Sequence, residues 1–280
     1  MANEKPSSHG GRPRPDIATL AGAAIALGGI LGGLVLEQGK LGDIAQLSAF
    51  VIVFGGTLGA TLVSTPLPLF LRALKRLKAV FFESRESPGV LIDELIGYAA
   101  KARKNGLLSL DSEIENIPNR FCRKAITLAV DGTDVQELRS MLDLEIAVEE
   151  QQAEAEARVF EAAGGYSPTI GIIGAVLGLI QVMRHIQNID EVGNGIAIAF
   201  VATIYGVGLA NLVLLPASTK IKVWAQHEAR MRELVIEGVA AIAEGMNPKL
   251  IRTKLEAFGT APRVKRPPVQ AAGELVAAGD

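Results

Sequence analysis

Residues 166–183 read YSPTIGIIGAVLGLIQVM, and no charged side chain interrupts this stretch. Three further runs without charge lie at Ile17–Leu36, Ile44–Leu71 and Gly195–Leu215. A helix needs about 20 consecutive apolar residues to cross a bilayer. The sequence therefore predicts an all-α membrane protein with four transmembrane helices, arranged in two pairs that are separated by a long charged segment.

Charged residues are segregated from these runs. The chain is 49% hydrophobic and 21% charged, which is apolar for a soluble domain and too charged for a chain that lies wholly in lipid. Nearly all charges lie before the first run, between residues 72 and 161, and after Lys220. The net charge of −2 provides no basic field, so nucleic acid is not expected as a partner.

Loop charge predicts the orientation. The hairpins at 37–43 and 184–194 carry one basic residue each. By the positive-inside rule, both termini and the long middle segment are expected in the cytoplasm. Basic residues precede the first run and follow the second; they are Lys5, Arg12, Arg14, Arg72, Lys75, Arg76 and Lys78.

The first run is a candidate signal peptide, because basic residues precede it. It is longer than an h-region of about 7–15 residues, and Glu37-Gln38 stands where small residues would mark cleavage. We therefore expect a retained first helix.

Helix signals organise the charged segments. Ser87-Pro88 is typical of a helix start and Asn105-Gly106 of a helix end. The last residues are rich in Pro, Ala, Val and Gly, a composition for which we expect no fixed structure. The predicted organisation is a cytoplasmic segment at 1–15, helices one and two at 16–71, a helical cytoplasmic domain at 72–165, helices three and four at 166–216, cytoplasmic C-terminal helices at 217–259, and a disordered tail at 260–280.

None of the four runs carries a carboxylate in its middle. Ion paths through membranes are normally marked by an ionisable residue, so any ion that crosses here needs a carboxylate from a partner chain. His9, His185 and His227 have no metal-ligand spacing, and Cys122 is a single cysteine. We expect neither a metal site nor a cofactor, and we expect no enzymatic activity.

Small residues recur at helix-packing spacing in three of the runs. Such stripes let helix backbones approach closely in lipid. They are compatible with packing inside one chain and with contacts between subunits of an oligomer. The candidate packing residues are Gly28, Gly32, Gly55, Gly59, Gly171, Gly174 and Gly178.

Two prolines lie at the predicted membrane surface, Pro168 at the start of the third run and Pro216 at the end of the fourth. Proline removes a backbone donor and loosens the local helix, so either residue can act as a pivot. Physics alone also allows an ordinary helix boundary at both positions.

Four motifs follow one another in a fixed order: FGGTLGAT at 54–61, ARKNGLLSLD at 102–111, SPTIGIIGAVLGL at 167–179, and TIYG at 203–206, the last followed by ANL and Pro216. Together they resemble the MotA/PomA family of flagellar motor stator subunits, and the likeness covers about residues 16–258. The wider superfamily includes energisers of the TonB and Tol systems with a three-helix plan. Four helices favour the motor branch.

The resemblance implies a homopentamer in the lipid of the bacterial inner membrane, around two copies of a single-span partner of the MotB/PomB type that supplies the membrane aspartate. It also implies that the rotor protein FliG is contacted through Arg103 and Asp111. Pro168 and Pro216 match prolines thought to couple ion passage to domain movement.

Two further positions bear on the ion. The resemblance places Thr203 on the ion path and Ala175 where sodium-driven relatives typically have threonine. Sodium needs several oxygen ligands, whereas a proton needs only a carboxylate. The expected ion is therefore H+, with Na+ as the alternative.

Two other functions remain as alternatives to a proton-driven torque generator. One is a biopolymer-transport energiser of the TonB/Tol type, which would lack the loop at 103–111 and the fourth helix. The other is a self-contained secondary transporter, which would need broken helices and buried polar groups near the membrane midplane.

Overall fold

A computed structural model describes residues 14–15, 17–39, 41–83 and 87–260. Most of the predicted N-terminal segment and the predicted disordered tail after Thr260 lie outside the described residues. The described residues form ten α-helices: α1 (Ile17–Leu36), α2 (Leu47–Phe50), α3 (Gly56–Ser64), α4 (Leu67–Phe81), α5 (Pro88–Asn105), α6 (Arg120–Val130), α7 (Val135–Arg184), α8 (Ile189–Leu209), α9 (Leu215–Ala243) and α10 (Pro248–Thr260).

Shorter elements connect the α-helices. The 3-10 helices are Leu41–Ile44 and Leu107–Asn116, and π-helical turns lie at Val51–Gly55 and Ala210–Leu214. β-strand structure is limited, within the described residues, to one antiparallel pair of two-residue strands, β1 (Arg14–Pro15) and β2 (Phe82–Glu83). The predicted all-α class is confirmed.

Within the part of the chain that the structure describes, four helical runs are long and apolar enough to cross a membrane. Span one is α1. Span two is the continuous run Leu47–Ser64, which comprises α2, a π-helical turn and α3. Span three lies in the second half of α7, and span four begins in α8.

Span two ends earlier than the uncharged run in the sequence. Thr65 is extended, with φ −132° and ψ 130°, and Pro66 has no amide to continue the helix. The residues up to Leu71, which we predicted as part of helix two, instead begin the separate helix α4.

Spans three and four continue without a break into long extramembrane helices. Helix α7 has 50 residues and is therefore about 75 Å long at 1.5 Å per residue. Asp134 caps its start by accepting hydrogen bonds from the amides of Gln136 and Glu137. The predicted boundaries at 165–166 and 216–217 both fall inside continuous helical runs.

The two charged segments of the sequence fold together. Helices α5 and α6, the start of α7, the end of α9, and α10 share one apolar core, which we call the helical domain. Gly238 allows α9 to approach α5, because a Cβ there would lie 2.8 Å from Leu95 Cδ1. The fully buried core side chains include Leu95, Leu110, Ile117, Ile126, Leu138, Leu142, Leu234, Ile236, Ile251 and Leu255.

One cluster of charged side chains links α7, α9 and α10 within this domain. Arg139 on α7 donates two hydrogen bonds to the carboxylate of Glu237 on α9, at 2.6 and 3.1 Å. Lys254 Nζ on α10 lies 2.9 Å from Glu237 Oε2. Burial acts to raise the pKa of Glu237, but the hydrogen bonds from Arg139 and Lys254 outweigh burial and lower the pKa to about 2.

We predict that Glu237→Gln lowers the free energy of unfolding by about 2 kcal/mol at neutral pH, since it removes charged hydrogen bonds. A lowered folded-state pKa stabilises the fold above the ordinary pKa of 4.5, and this contribution is lost as the pH falls towards about 2. The difference in thermal stability between wild type and Glu237→Gln should therefore shrink below pH 4.5.

Glu115→Gln is the matched control, since Glu115 is exposed. It should change the free energy of unfolding by no more than about 0.5 kcal/mol. Equal effects of the two variants, or a pH-independent effect of Glu237→Gln, would contradict the prediction.

Candidate functional site

Spans three and four contact each other backbone to backbone. A Cβ at Gly171 would lie 2.9 Å from Ala202 O, and one at Gly206 would lie 2.7 Å from Ser167 O. A second close contact lies seven residues further along α7, where a Cβ at Gly178 would lie 2.8 Å from Gly195 O. Only glycine fits at such distances, so these residues set the separation of the two helices.

Side-chain hydrogen bonds tie span four to span three and to the residues just before span two. Ser167 Oγ is buried and donates to Gly206 O at 2.9 Å. Tyr205 donates its phenolic proton to Ile44 O at 2.5 Å, just before span two. The hydrogen bonds satisfy polar groups that lipid cannot solvate.

Span two packs against this pair through a stripe with a spacing of four residues: Ala49, Val53, Thr57 and Thr61 are all buried. Thr61 Oγ1 donates to Thr57 O at 2.7 Å. Thr57 Oγ1 has no hydrogen-bond partner among the described residues. Sequence reasoning missed these two hydroxyls, although the threonines at i and i+4 in FGGTLGAT were the available signal.

The two predicted ion-path residues lie on neighbouring helices, Ala175 on α7 and Thr203 on α8. Both are half-buried in the single chain. Thr203 Oγ1 donates to the Ala199 carbonyl of its own helix at 3.1 Å, so its hydroxyl proton is engaged. Gly174, beside Ala175, contacts both neighbouring spans, because a Cβ there would lie 2.7 Å from Ala202 Cβ and 3.3 Å from Ile52 Cγ2.

Neither predicted hinge proline ends a helix. Pro168 lies inside α7, where its missing amide leaves the Gly164 carbonyl without its usual i+4 donor. Pro216 is the second residue of α9, and α9 directly follows the π-helical turn Ala210–Leu214. The two loosened segments meet, because a Cβ at Gly164 would lie 2.7 Å from Leu215 Cδ2.

The remaining candidate packing glycines have open surroundings. A Cβ at Gly28, Gly32, Gly55 or Gly59 would meet no atom within 4 Å. No residue of α1 is buried. These four glycines therefore face outward, in contrast to Gly171, Gly174 and Gly178 of span three.

The predicted contact loop lies at the end of α5. Gly106 reverses the chain with φ 84°, a conformation that favours glycine. Arg103 precedes this turn and Asp111 follows it on the 3-10 helix; both are exposed and make no ion pair within the described part of the chain. The buried side chain of Leu110 and an ion pair between Lys101 and Glu113 hold the loop against the domain.

The described residues contain no group of three or more His, Cys, Asp or Glu side chains that could hold a metal ion. Cys122 is buried in the helical domain.

Tyr98 of α5 is half-buried, and burial with nearby acidic groups raises its pKa to about 12. It therefore remains neutral.

Residues 113–234 match the MotA/TolQ/ExbB proton channel family, and residues 20–105 match the motility protein A N-terminal family. The motility protein A of Bacillus subtilis (strain 168) is 33% identical over 244 residues, which cover 86% of this chain and 89% of that protein. The structure of C. jejuni MotAB matches with a TM-score of 0.83 and 31% identity, over 90% of this chain and 99% of that chain. The flagellar MotAB stator complex from Bacillus subtilis matches with a TM-score of 0.80 and 32% identity, over 86% of this chain and 95% of that chain.

We predict that Gly206→Ala destabilises the bundle, because the added methyl group meets the backbone of the opposite helix. Overpacking of this kind costs about 1–3 kcal/mol. Thermal unfolding in lipid nanodiscs measures the loss. Gly208→Ala, two residues along the same helix, is the matched control, since a Cβ there meets nothing within 4 Å. Equal unfolding temperatures for the two variants would contradict the close contact.

Proposed function

The chain belongs to the MotA/TolQ/ExbB proton channel family, and we propose that it is a stator subunit of the bacterial flagellar motor. With a MotB-type partner it forms an ion channel that converts proton-motive force into torque on the rotor. The observation that carries this proposal is the extent of the match. It includes both pairs of spans and the helical domain between them, and the related structures are MotAB complexes.

The partner supplies the carboxylate that the channel needs. The four spans contribute hydroxyls, such as those of Thr57 and Thr203, but no Asp, Glu, Lys, Arg or His within the runs that cross the membrane. A hydroxyl orients a proton or a carboxylic acid but does not itself titrate near neutral pH. An acidic side chain on the partner's single span would complete the path.

Several copies surround that partner as a homopentamer. The open glycine faces of spans one and two favour subunit or lipid contacts, because they are not used within the chain. The compact pairing of spans three and four provides each subunit with one rigid wall. A ring of such walls encloses a path for the partner helix.

Coupling between ion passage and rotation takes place at the membrane surface. Protonation of a partner carboxylate changes the charge beside spans three and four. The loosened segments at Pro168 and Pro216 meet at the Gly164–Leu215 contact, so both helices can tilt there together. Since α7 and α9 continue into the helical domain, a small tilt displaces the contact loop.

The transported ion is H+. Ala175 offers no side-chain oxygen, so of these two positions only Thr203 can offer one to a sodium ion. Sodium would need several oxygens to replace its hydration shell. A proton can be carried by the partner's carboxylate alone.

The helical domain faces the cytoplasm, with both termini on the same side of the inner membrane. This orientation follows from the basic residues that flank span two, in particular Arg72 and Lys75. The exposed charges of Arg103 and Asp111 then contact the rotor protein FliG. Exposed ion pairs are worth about 0–1 kcal/mol, so such contacts form and break readily.

We predict that proton flux requires both chains. Vesicles containing this chain and a MotB-type partner should acidify under an imposed pH gradient, whereas vesicles with this chain alone should match empty vesicles. The control is a partner in which the membrane aspartate is replaced by asparagine. Proton flux through this chain alone would refute the partner-carboxylate mechanism. Ion flux through the complex that rises with sodium concentration at fixed pH and membrane potential would refute the choice of H+.

We predict that Arg103→Glu strongly reduces swimming speed without changing the amount of protein in the membrane. A compensating charge reversal on FliG should restore part of the speed, because the contact depends on complementary charge. Lys249→Glu is the control with the same charge change on an exposed position of α10. If no reversal on the rotor rescues Arg103→Glu, the residue has a structural role only.

A further inference from the structure

Helix α4 follows span two after only two residues, Thr65 and Pro66. One of its faces packs inside the chain. Ala73 is buried, and Leu69, Phe70 and Leu77 pack with it against a cluster that contains Phe160 of α7 and Ile221 of α9. This face packs α4 against the two long helices.

A contact between α9 and α1 places the cluster under α4 near the start of span one. Lys220, adjacent to Ile221 in the packed cluster, donates a hydrogen bond from Nζ to Thr19 Oγ1 at 2.8 Å. Thr19 is the third residue of α1, where span one enters the bilayer. Leu214, near the end of span four, also packs against the cluster under α4. The helix therefore lies along the boundary between lipid and water.

A second apolar face of α4 is uncovered. Leu67, Leu71 and Leu74 are 59%, 49% and 50% exposed, and their spacing of four and three residues places them in one stripe. Arg72 and Lys75, which lie beyond the stripe on the helix surface, are also exposed.

Arg76 differs from these two cations. Its Nε lies 3.4 Å from Oε2 of the buried Glu156 on α7, within ion-pair distance. The cations of α4 are thus divided between an internal ion pair and an outward-facing surface.

We propose that the outward face of α4 binds anionic phospholipids of the adjacent leaflet. The leucine stripe enters the boundary of the acyl chains, and Arg72 and Lys75 bind the negatively charged headgroups. A helix with an apolar face and neighbouring basic residues lies in the interface plane, and basic residues next to a span attract anionic lipid. The continuity of α4 with span two and its charge both favour lipid as the occupant.

The site also joins lipid to the moving parts of the chain. Headgroups hold the outer face of α4, while Arg76 and the packed cluster hold its inner face against α7 and α9. Anionic lipid therefore fixes the position of α4 beside the Pro168 and Pro216 segments. In the orientation proposed above, the adjacent leaflet is the cytoplasmic one.

A spin label tests where the leucine stripe lies. The full chain with Leu71→Cys is labelled and placed in nanodiscs of phosphatidylcholine mixed with phosphatidylglycerol; Cys122 is buried. The label should collide more with dissolved oxygen than with a water-soluble nickel complex. A label at Leu108→Cys, a 74% exposed position on the contact loop, should show the reverse. Equal nickel access at both positions would overturn the proposal, as would a label at residue 71 that is shielded from both reagents and dipolar-coupled to a second copy.

Lipid preference tests the charged part of the site. Native mass spectrometry of the full chain compares bound phosphatidylglycerol with bound phosphatidylcholine. Each cation near an anionic surface contributes about fivefold, so Arg72→Gln with Lys75→Gln should lower the preference for phosphatidylglycerol by roughly 25-fold. The control pair Lys104→Gln and Lys249→Gln, with the same loss of charge on the helical domain, should keep it. An undiminished preference in the Arg72/Lys75 double variant, or an equal loss in the control pair, would overturn the proposal.

Discussion

Backbone contact between spans three and four is the constraint on which the rest of the structure depends. Lipid gives apolar helices little reason to associate, so the attraction comes from close packing and from hydrogen bonds such as that of Ser167 to Gly206 O. Gly171 and Gly206 set the separation of spans three and four, and span two packs its buried stripe against this pair. The extramembrane parts of the same helices are then held at a spacing at which the helical domain can form around them.

Much of this fold could be predicted from the sequence, because uncharged runs of bilayer length have few other structural solutions. The early end of span two could also have been predicted, since Pro66 stands in the sequence. The shared core of the helical domain could not, because the partners of Leu234 and Ile251 lie more than a hundred residues away on α5 and α6. The same holds for the roles of the glycines. Gly28 and Gly171 occupy similar motifs, and only three-dimensional neighbours distinguish an open face from a closed one.

Less of the candidate site than of the fold could be predicted from the sequence. The sequence showed that the spans lack a carboxylate, and from this we predicted that ion transport needs a carboxylate from a partner chain. Residue roles for Arg103, Asp111, Ala175 and Thr203 came from family resemblance and stay predictions, although the structure places Arg103 and Asp111 on an exposed loop. Thr57 was missed, because a threonine among apolar residues does not reveal whether its hydroxyl has a partner. Its burial became visible only with the packing of the spans.

Helix continuity through the membrane surface restricts how the chain can change length. In an α-helix each inserted residue rotates everything beyond it by about 100° and shifts it by about 1.5 Å. Helix α7 and the run that ends in α9 both connect the bundle to the helical domain. An insertion in one alone would rotate and shift its end of the helical domain relative to the end held by the other. Insertions and deletions are therefore tolerated at the hairpins and at the turn near Gly245, but between residues 147 and 166 only when α9 changes in step.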